Sequence, residues 1–178
     1  QGLRVSLRKA LLKQKMILIQ GSDKRAEGGN VDMYEYKCKV KRVVDGDTMD
    51  VVIDLGFDIF HSCRVRLASI DTPESRTRDL DEKARGKLSK AYLKESIKGK
   101  KIVLRTKIKD AKGKFGRVIA EVWAEFEEGS LRNVNELMIK ECYAVKYNAE
   151  NKALVKEAHL ANRAILIEKG LFVPVEPK

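Results

Sequence analysis

Five stretches of the chain alternate apolar with polar side chains at period two, and this pattern constrains the fold more than any other feature. They comprise Tyr34, Tyr36, Cys38 and Val40; Met49 to Ile53; Cys63, Val65 and Leu67; Ile102, Leu104, Thr106 and Ile108; and Val118, Ala120, Val122 and Ala124. Each reads as a strand with one buried face. Asp45 and Gly46 supply the left-handed turn chemistry that joins the first two as a hairpin. The period changes over 80–97, which puts Leu80, Ala84, Leu88 and Ala91 or Tyr92 on one helical face before Gly99 ends the run. Two more helices are expected near 133–142 and 149–169, the second stopped by Gly170. Five strands and about three helices predict an α+β fold, a partly open, antiparallel five-stranded barrel of the oligonucleotide-binding (OB) type with helices alongside. Such a barrel serves binding as readily as catalysis, so its function must be read from particular side chains.

At 178 residues and 43% apolar content the chain supports one core rather than two. Leu3, Leu7, Ala10 or Leu11, and Leu18 recur at helical spacing, so 3–19 reads as a basic amphipathic helix followed by a polar linker. The expected division is a basic extension over 1–32, the folded domain over 33–173 and a short tail over 174–178. The net charge is +11, of which +4 belongs to residues 1–32 and +7 to the remainder. A field of that sign gathers polyanions. No stretch approaches the ~20 apolar residues of a membrane span, and Lys13 and Lys15 break the only apolar run near the start. A signal peptide is not expected, the cytoplasm is favoured over secretion, and a monomer is anticipated. Cys38, Cys63 and Cys142 form no CxxC pair and have only His61 and His159 to complement them, which argues against zinc. Cys38 and Cys63 read as buried free thiols.

Two acidic turns stand out, Asp45-Gly46-Asp47-Thr48 and Asp71-Thr72-Pro73-Glu74. Each has a structural explanation, the first as an ordinary hairpin turn and the second as a helix cap. Between them Arg66 lies on the third strand, on the alternation expected to include Ala68 and Ile70, and Arg117 opens the fifth strand. Arginines beside carboxylates either form structural ion pairs or clamp a phosphate while the acids hold a cation.

With Val44-Asp45-Gly46-Asp47-Thr48, Arg64-Val65-Arg66-Leu67, Ile70-Asp71-Thr72-Pro73-Glu74 and Lys114-Phe115-Gly116-Arg117 in that order, the chain resembles the staphylococcal nuclease, or thermonuclease-like, family over residues 35–170. The resemblance implies calcium-dependent hydrolysis of phosphodiester bonds in DNA and/or RNA with little sequence specificity. It implies that Asp47, Asp71 and the main-chain carbonyl of Thr72 bind Ca2+. It further implies that Glu74 positions or deprotonates the attacking water, that Arg66 and Arg117 hold the phosphate, and that Lys114, Phe115 and Tyr147 lie on the nucleotide side. The chemistry is coherent, because a phosphodiester repels hydroxide and a nuclease must neutralise the anion and orient its nucleophile. The alternative is a non-catalytic OB-fold module that binds nucleic acid. Two departures are visible: Phe115 stands where the best-known member has tyrosine, and the loop over 53–63 is longer. Its Leu55, Phe57, Ile59 and Phe60 read as a hairpin tip covering the core.

Overall fold

The computed structural model describes residues 33–107, 117–148 and 151–175, all within the compact unit Asp32–Lys178. The expected N-terminal helix and linker, together with Lys114 and Phe115, lie outside the described residues. Strands β1 (Met33–Asp45) and β2 (Thr48–Asp54) form the anticipated hairpin, with Asp45 opposite Thr48 at the turn. Strand β3 (Phe60–Leu67) pairs antiparallel with β2, so that Thr48 faces Arg66 and Met49 faces Val65. On the other side β1 pairs with β5 (Ile102–Lys107), which pairs with β6 (Val118–Glu127).

The sheet runs β3-β2-β1-β5-β6 and closes because β3 also pairs with β6. This last pairing is parallel, with Val65 opposite Val118 and Leu67 opposite Ala120, which corrects the expectation of a wholly antiparallel barrel. The long connection between the two strands permits it, since parallel neighbours need a crossover and antiparallel ones only a turn. Three short strands were not expected: β4 (Ile70–Asp71), β7 (Ser130–Asn133) and β8 (Val145–Lys146), with β7 extending the sheet beyond β6 and β4 pairing with β8. Met49, Val51, Val65, Leu67, Leu104 and Val122 fill the barrel, and Leu93, Val134 and Met138 cover it from the helices.

Those helices are α1 (Leu80–Ile97), α2 (Val134–Lys140) and α3 (Lys152–Glu168). Asp79 caps α1 by accepting hydrogen bonds from the N–H groups of Asp81 and Glu82 at 3.0 and 3.1 Å. The buried face of α1 is Arg85, Gly86, Ser89, Leu93, Ser96 and Ile97, whereas Leu80 is exposed. The apolar stripe expected from periodicity is therefore rotated away from the contact. Close backbone approach explains this, because it selects small side chains at the interface instead of large apolar ones.

The 53–63 loop also differs from expectation. Gly56, Phe57 and Asp58 all take positive φ, and this tight left-handed tip turns its side chains outward, leaving Phe57 97% and Phe60 62% exposed. It covers none of the core. The three cysteines are free but half-buried, and burial pushes the Cys38 thiol up to about 12. Among the described residues no helix is long and apolar enough to cross a membrane.

Asp81 joins α1 to α3, accepting from Arg163 Nε at 2.9 Å and Nη2 at 3.1 Å and from Arg85 Nε at 3.0 Å. Burial pushes its carboxyl up, but the Arg163 and Arg85 hydrogen bonds and the Val175 N–H outweigh that and hold it below the ordinary aspartate value. A depressed carboxylate contributes stability above its unfolded pKa and loses it as pH falls through the folded one. Asp81→Asn should thus cost about 1–3 kcal/mol at neutral pH. Thermal melts from pH 7 to pH 2 should show that difference shrinking below the ordinary aspartate range; a constant difference would refute the linkage.

Candidate active site

The site begins with a glycine. The N–H of Gly46 donates to Asp45 Oδ1 at 2.9 Å, and a Cβ at this position would fall 2.8 Å from Thr72 Oγ1 and 2.9 Å from Ser89 Cβ. Only a residue without a side chain lets the first acidic turn press against the second. Thr72 is buried at this contact. Asp47 follows, almost entirely buried, with Thr48 Oγ1 donating to its Oδ1 at 2.8 Å.

Arg66 on β3 lies beside these groups because of its register opposite Thr48. Its Nη1 forms an ion pair with Asp47 Oδ2, and its Nη2 donates to Asp71 Oδ1 and to the Ile70 carbonyl, both at 3.2 Å. One guanidinium thus ties the two acidic turns together. Ile70 does not share its alternation, however. Ser69 takes a left-handed conformation with φ 57°, which resets the register and sends Ile70 into the core at 1% exposure. The reversal is held by Asn135, whose Nδ2 donates to the Ala68 carbonyl at 2.8 Å while its Oδ1 accepts from the Val122 N–H at 3.0 Å.

The second oxygen of Asp71 is also engaged, 2.9 Å from His159 Nε2 on α3. Glu74 is set by α1. A Cβ at Gly86 would lie 2.6 Å from the Pro73 carbonyl oxygen, the Glu74 carbonyl carbon and the Ser75 nitrogen, so the helix rests directly on the backbone that carries Glu74.

Asp45, Asp47, Arg66, Asp71, Glu74 and Arg117 line one cleft of about 720 Å³. The sequence marks Asp47, Arg66, Asp71, Glu74 and Arg117 as site residues and Asp45 as their turn partner, and the fold brings all six together. Thr72 stands behind the cleft at the Gly46 contact. Tyr147 is fixed by its N–H to the Ser69 carbonyl at 2.9 Å and is not among the residues lining the cleft. Tyr143 stacks on Tyr92, ring centroids 4.1 Å apart, and so packs α1 against the segment after α2.

Burial pushes the Asp47 carboxyl up, opposed by Arg66 and reinforced by Asp71 and Asp45. Glu74 is raised by burial and then by Asp45, Asp47 and Asp71. Carboxylates that raise one another in a shared cleft favour a cation among them, and an all-oxygen donor set suits a hard ion such as calcium. Among the described residues no three acidic, histidine or cysteine side chains form a group able to hold an ion. Asp47 and Asp71 would therefore need carbonyl and water oxygens beside them, as the six to eight ligands of Ca2+ allow.

Gly86, Asn135 and His159 had not been singled out by sequence reasoning. A glycine inside a helical period was the one available signal, since it marks either a defect or a packing requirement. Nothing local distinguishes Asn135 or His159.

Comparison with known proteins agrees with this geometry. The staphylococcal nuclease homologue profile matches residues 64–165. An uncharacterized endonuclease of Escherichia coli is 30% identical over 139 residues, covering 78% of each chain. The protein ParB of Escherichia coli is 31% identical over 123 residues, 67% of this chain and 62% of its own. The thermonuclease of Staphylococcus intermedius is 36% identical over 84 residues, 47% of this chain and 46% of its own. The chain thus spans less than two thirds of the length of these last two relatives. A family profile over more than half of the sequence, joined to a barrel that gathers the acids and arginines into one cleft, makes this chain a member of the staphylococcal nuclease homologue family.

Proposed function

We propose that this protein is a calcium-dependent nuclease that hydrolyses phosphodiester bonds of DNA and/or RNA with little sequence specificity. The observation that carries the proposal is the convergence of Asp47, Arg66, Asp71, Glu74 and Arg117 on one open cleft. The likeness to the E. coli endonuclease and the S. intermedius thermonuclease supports it.

Arg66 and Arg117 take the non-bridging oxygens of the scissile phosphate. Arg66 is oriented for this by its ion pairs with Asp47 and Asp71, which hold the guanidinium at the cleft. A guanidinium also keeps its charge at any accessible pH and presents a planar fork that lysine cannot copy. Glu74 accepts the proton of the attacking water, and its raised pKa makes it a stronger base than an ordinary glutamate. Asp47 and Asp71 would hold calcium with the Thr72 carbonyl, and the bound ion would supply Lewis-acid stabilisation of the phosphate's developing charge. His159 and Arg66 fix the two oxygens of Asp71, as hydrogen bonds to a metal-binding carboxylate commonly do. Phosphate contacts position a strand without reading its bases, which accounts for the low specificity proposed.

The test is incubation with single-stranded DNA, duplex DNA and RNA in calcium, magnesium or chelator. Cleavage in calcium that stops with chelator is the expected result. Binding without cutting under every condition would overturn the proposal in favour of a non-catalytic barrel.

A further inference from the structure

Beside the catalytic cleft lies a second one, of about 580 Å³, and the two share Val44, Arg64 and Arg76 in their walls. Its remaining lining includes Arg42, Lys83, Lys87 and Lys90. The three lysines stand on α1 at spacings of four and three, so they form one stripe along a single helix face. Seven residues at 1.5 Å rise make that stripe about 10 Å long.

The charge of this cleft is unbalanced. Arg42 and Arg64 share Asp50, with Arg42 Nε and Arg64 Nε each 2.7 Å from its carboxylate, and these contacts hold the Asp50 carboxyl down at about 2. No salt bridge to Arg76, Lys83, Lys87 or Lys90 is found among the described residues. A solvated helix face commonly intersperses its lysines with glutamates at four-residue spacing. Here the positions facing the cleft carry only cations, while Glu82 of the same helix turns to the Glu74 N–H.

We propose that this cleft is a polyphosphate track: it holds the backbone of a single polynucleotide strand leaving the catalytic cleft, through Lys83, Lys87 and Lys90. Phosphates on one strand advance about 3.4 Å along a duplex axis and lie farther apart on an extended single strand, so a 10 Å stripe serves at most about three of them. The shared Arg64 and Arg76 wall makes the path continuous from the scissile phosphate. The inference rests on the nuclease reading for what enters the first cleft, and it adds a contact, made by the α1 lysines, to phosphates beyond the scissile one. Flexible ammonium groups that track charge without reading bases suit such a role.

The test compares the wild type with the triple variant Lys83→Ala, Lys87→Ala, Lys90→Ala. Alanine favours the helix, and circular dichroism verifies that the fold is kept. Binding of a fluorescent 20-nucleotide single strand is followed by anisotropy from 50 to 200 mM salt, in chelator so that no cutting intervenes. Loss of three phosphate contacts should reduce the slope of log K against log salt by about 2, at about 0.7 per contact on a single strand, and weaken binding on the order of a hundredfold at 0.1 M salt. A Lys83→Arg, Lys87→Arg, Lys90→Arg variant should restore both. With calcium, the alanine variant should show a raised KM on the long strand, an unchanged kcat, and unchanged turnover of a dinucleotide.

An unaltered salt slope and unaltered KM in a protein that still cuts would overturn the track and leave the nuclease reading intact. A slope that depends on the lysines in a protein that cuts nothing would sustain the track and end the nuclease reading. Equal losses on the dinucleotide and the long strand would also overturn the track, because the lysines would then act at the first cleft.

Discussion

Replacing Glu74 with glutamine should lower kcat by about 10²–10⁴-fold, the range spanned by general-base catalysis, while nucleic-acid affinity stays within a factor of a few. Glutamine has nearly the same shape and cannot take the proton of water. The substitution should not destabilise the fold in chelator, and at neutral pH it should raise the melting temperature slightly. Glu74 is raised by burial and by Asp45, Asp47, Asp71 and Glu82 around it, so folding disfavours its charge. A group whose folded pKa is raised is most favourable to folding below its unfolded pKa, and that contribution disappears as pH rises through the folded value. The wild type should therefore fall behind the glutamine variant as pH climbs past the ordinary glutamate range, and match it in more acidic solution. For the same reason the acid limb of the wild-type rate profile should lie above the ordinary glutamate pKa. Melts at pH 4 and 7.5 with single-turnover rates check both halves. A glutamine variant that cuts at the wild-type rate would remove Glu74 from the mechanism.

The barrel was legible because its strands keep one face dry, and period-two alternation survives in sequence wherever a single strand face is buried. The five alternating stretches correspond to β1, β2, β3, β5 and β6, all but the Ile108 end of the fourth lying within the described strands. What was missed is what alternation cannot carry. β4 and β8 have two residues each, too few to show a period. The parallel closure of β3 on β6 is set by how the long connection crosses the barrel, not by the pattern of either strand. The face of α1 escapes a reading by periodicity because its close contacts, with the 73–75 backbone and with the Gly46 turn, are made by Gly86 and Ser89 rather than leucines, and burial of small residues leaves no hydrophobic stripe. The acids and arginines of the cleft were found through local turn chemistry and motif resemblance. Their supports, Asn135 and His159, reach them across 67 and 88 residues of sequence, a separation at which no local signal exists. Ser69 falls between these cases: one left-handed residue separates Arg66, facing the cleft, from Ile70, facing the core. Unbroken alternation had put both on the same side.

Gly86→Ala tests the packing that local propensity would misjudge. In a helix interior alanine exceeds glycine by about 1 kcal/mol, so propensity alone makes this a stabilising change. The site decides otherwise. The new methyl would come within 2.6 Å of three backbone atoms between Pro73 and Ser75, and a main chain cannot swing aside as a side-chain tip can. Either α1 or the loop must move, at a cost of about 1–3 kcal/mol for overpacking that cancels or exceeds the propensity gain. The loop carries Glu74, and a displacement near 1 Å at a reacting group can cost about 10²-fold in rate. Turnover should thus fall on the order of a hundredfold while the melting temperature drops only modestly. Ala91→Gly, on the exposed side of the same helix, separates the two effects. It should lose about 1 kcal/mol of stability and keep its activity. If Gly86→Ala retained full turnover, the close seating of α1 on the Pro73–Ser75 backbone would have no part in holding Glu74 over the cleft.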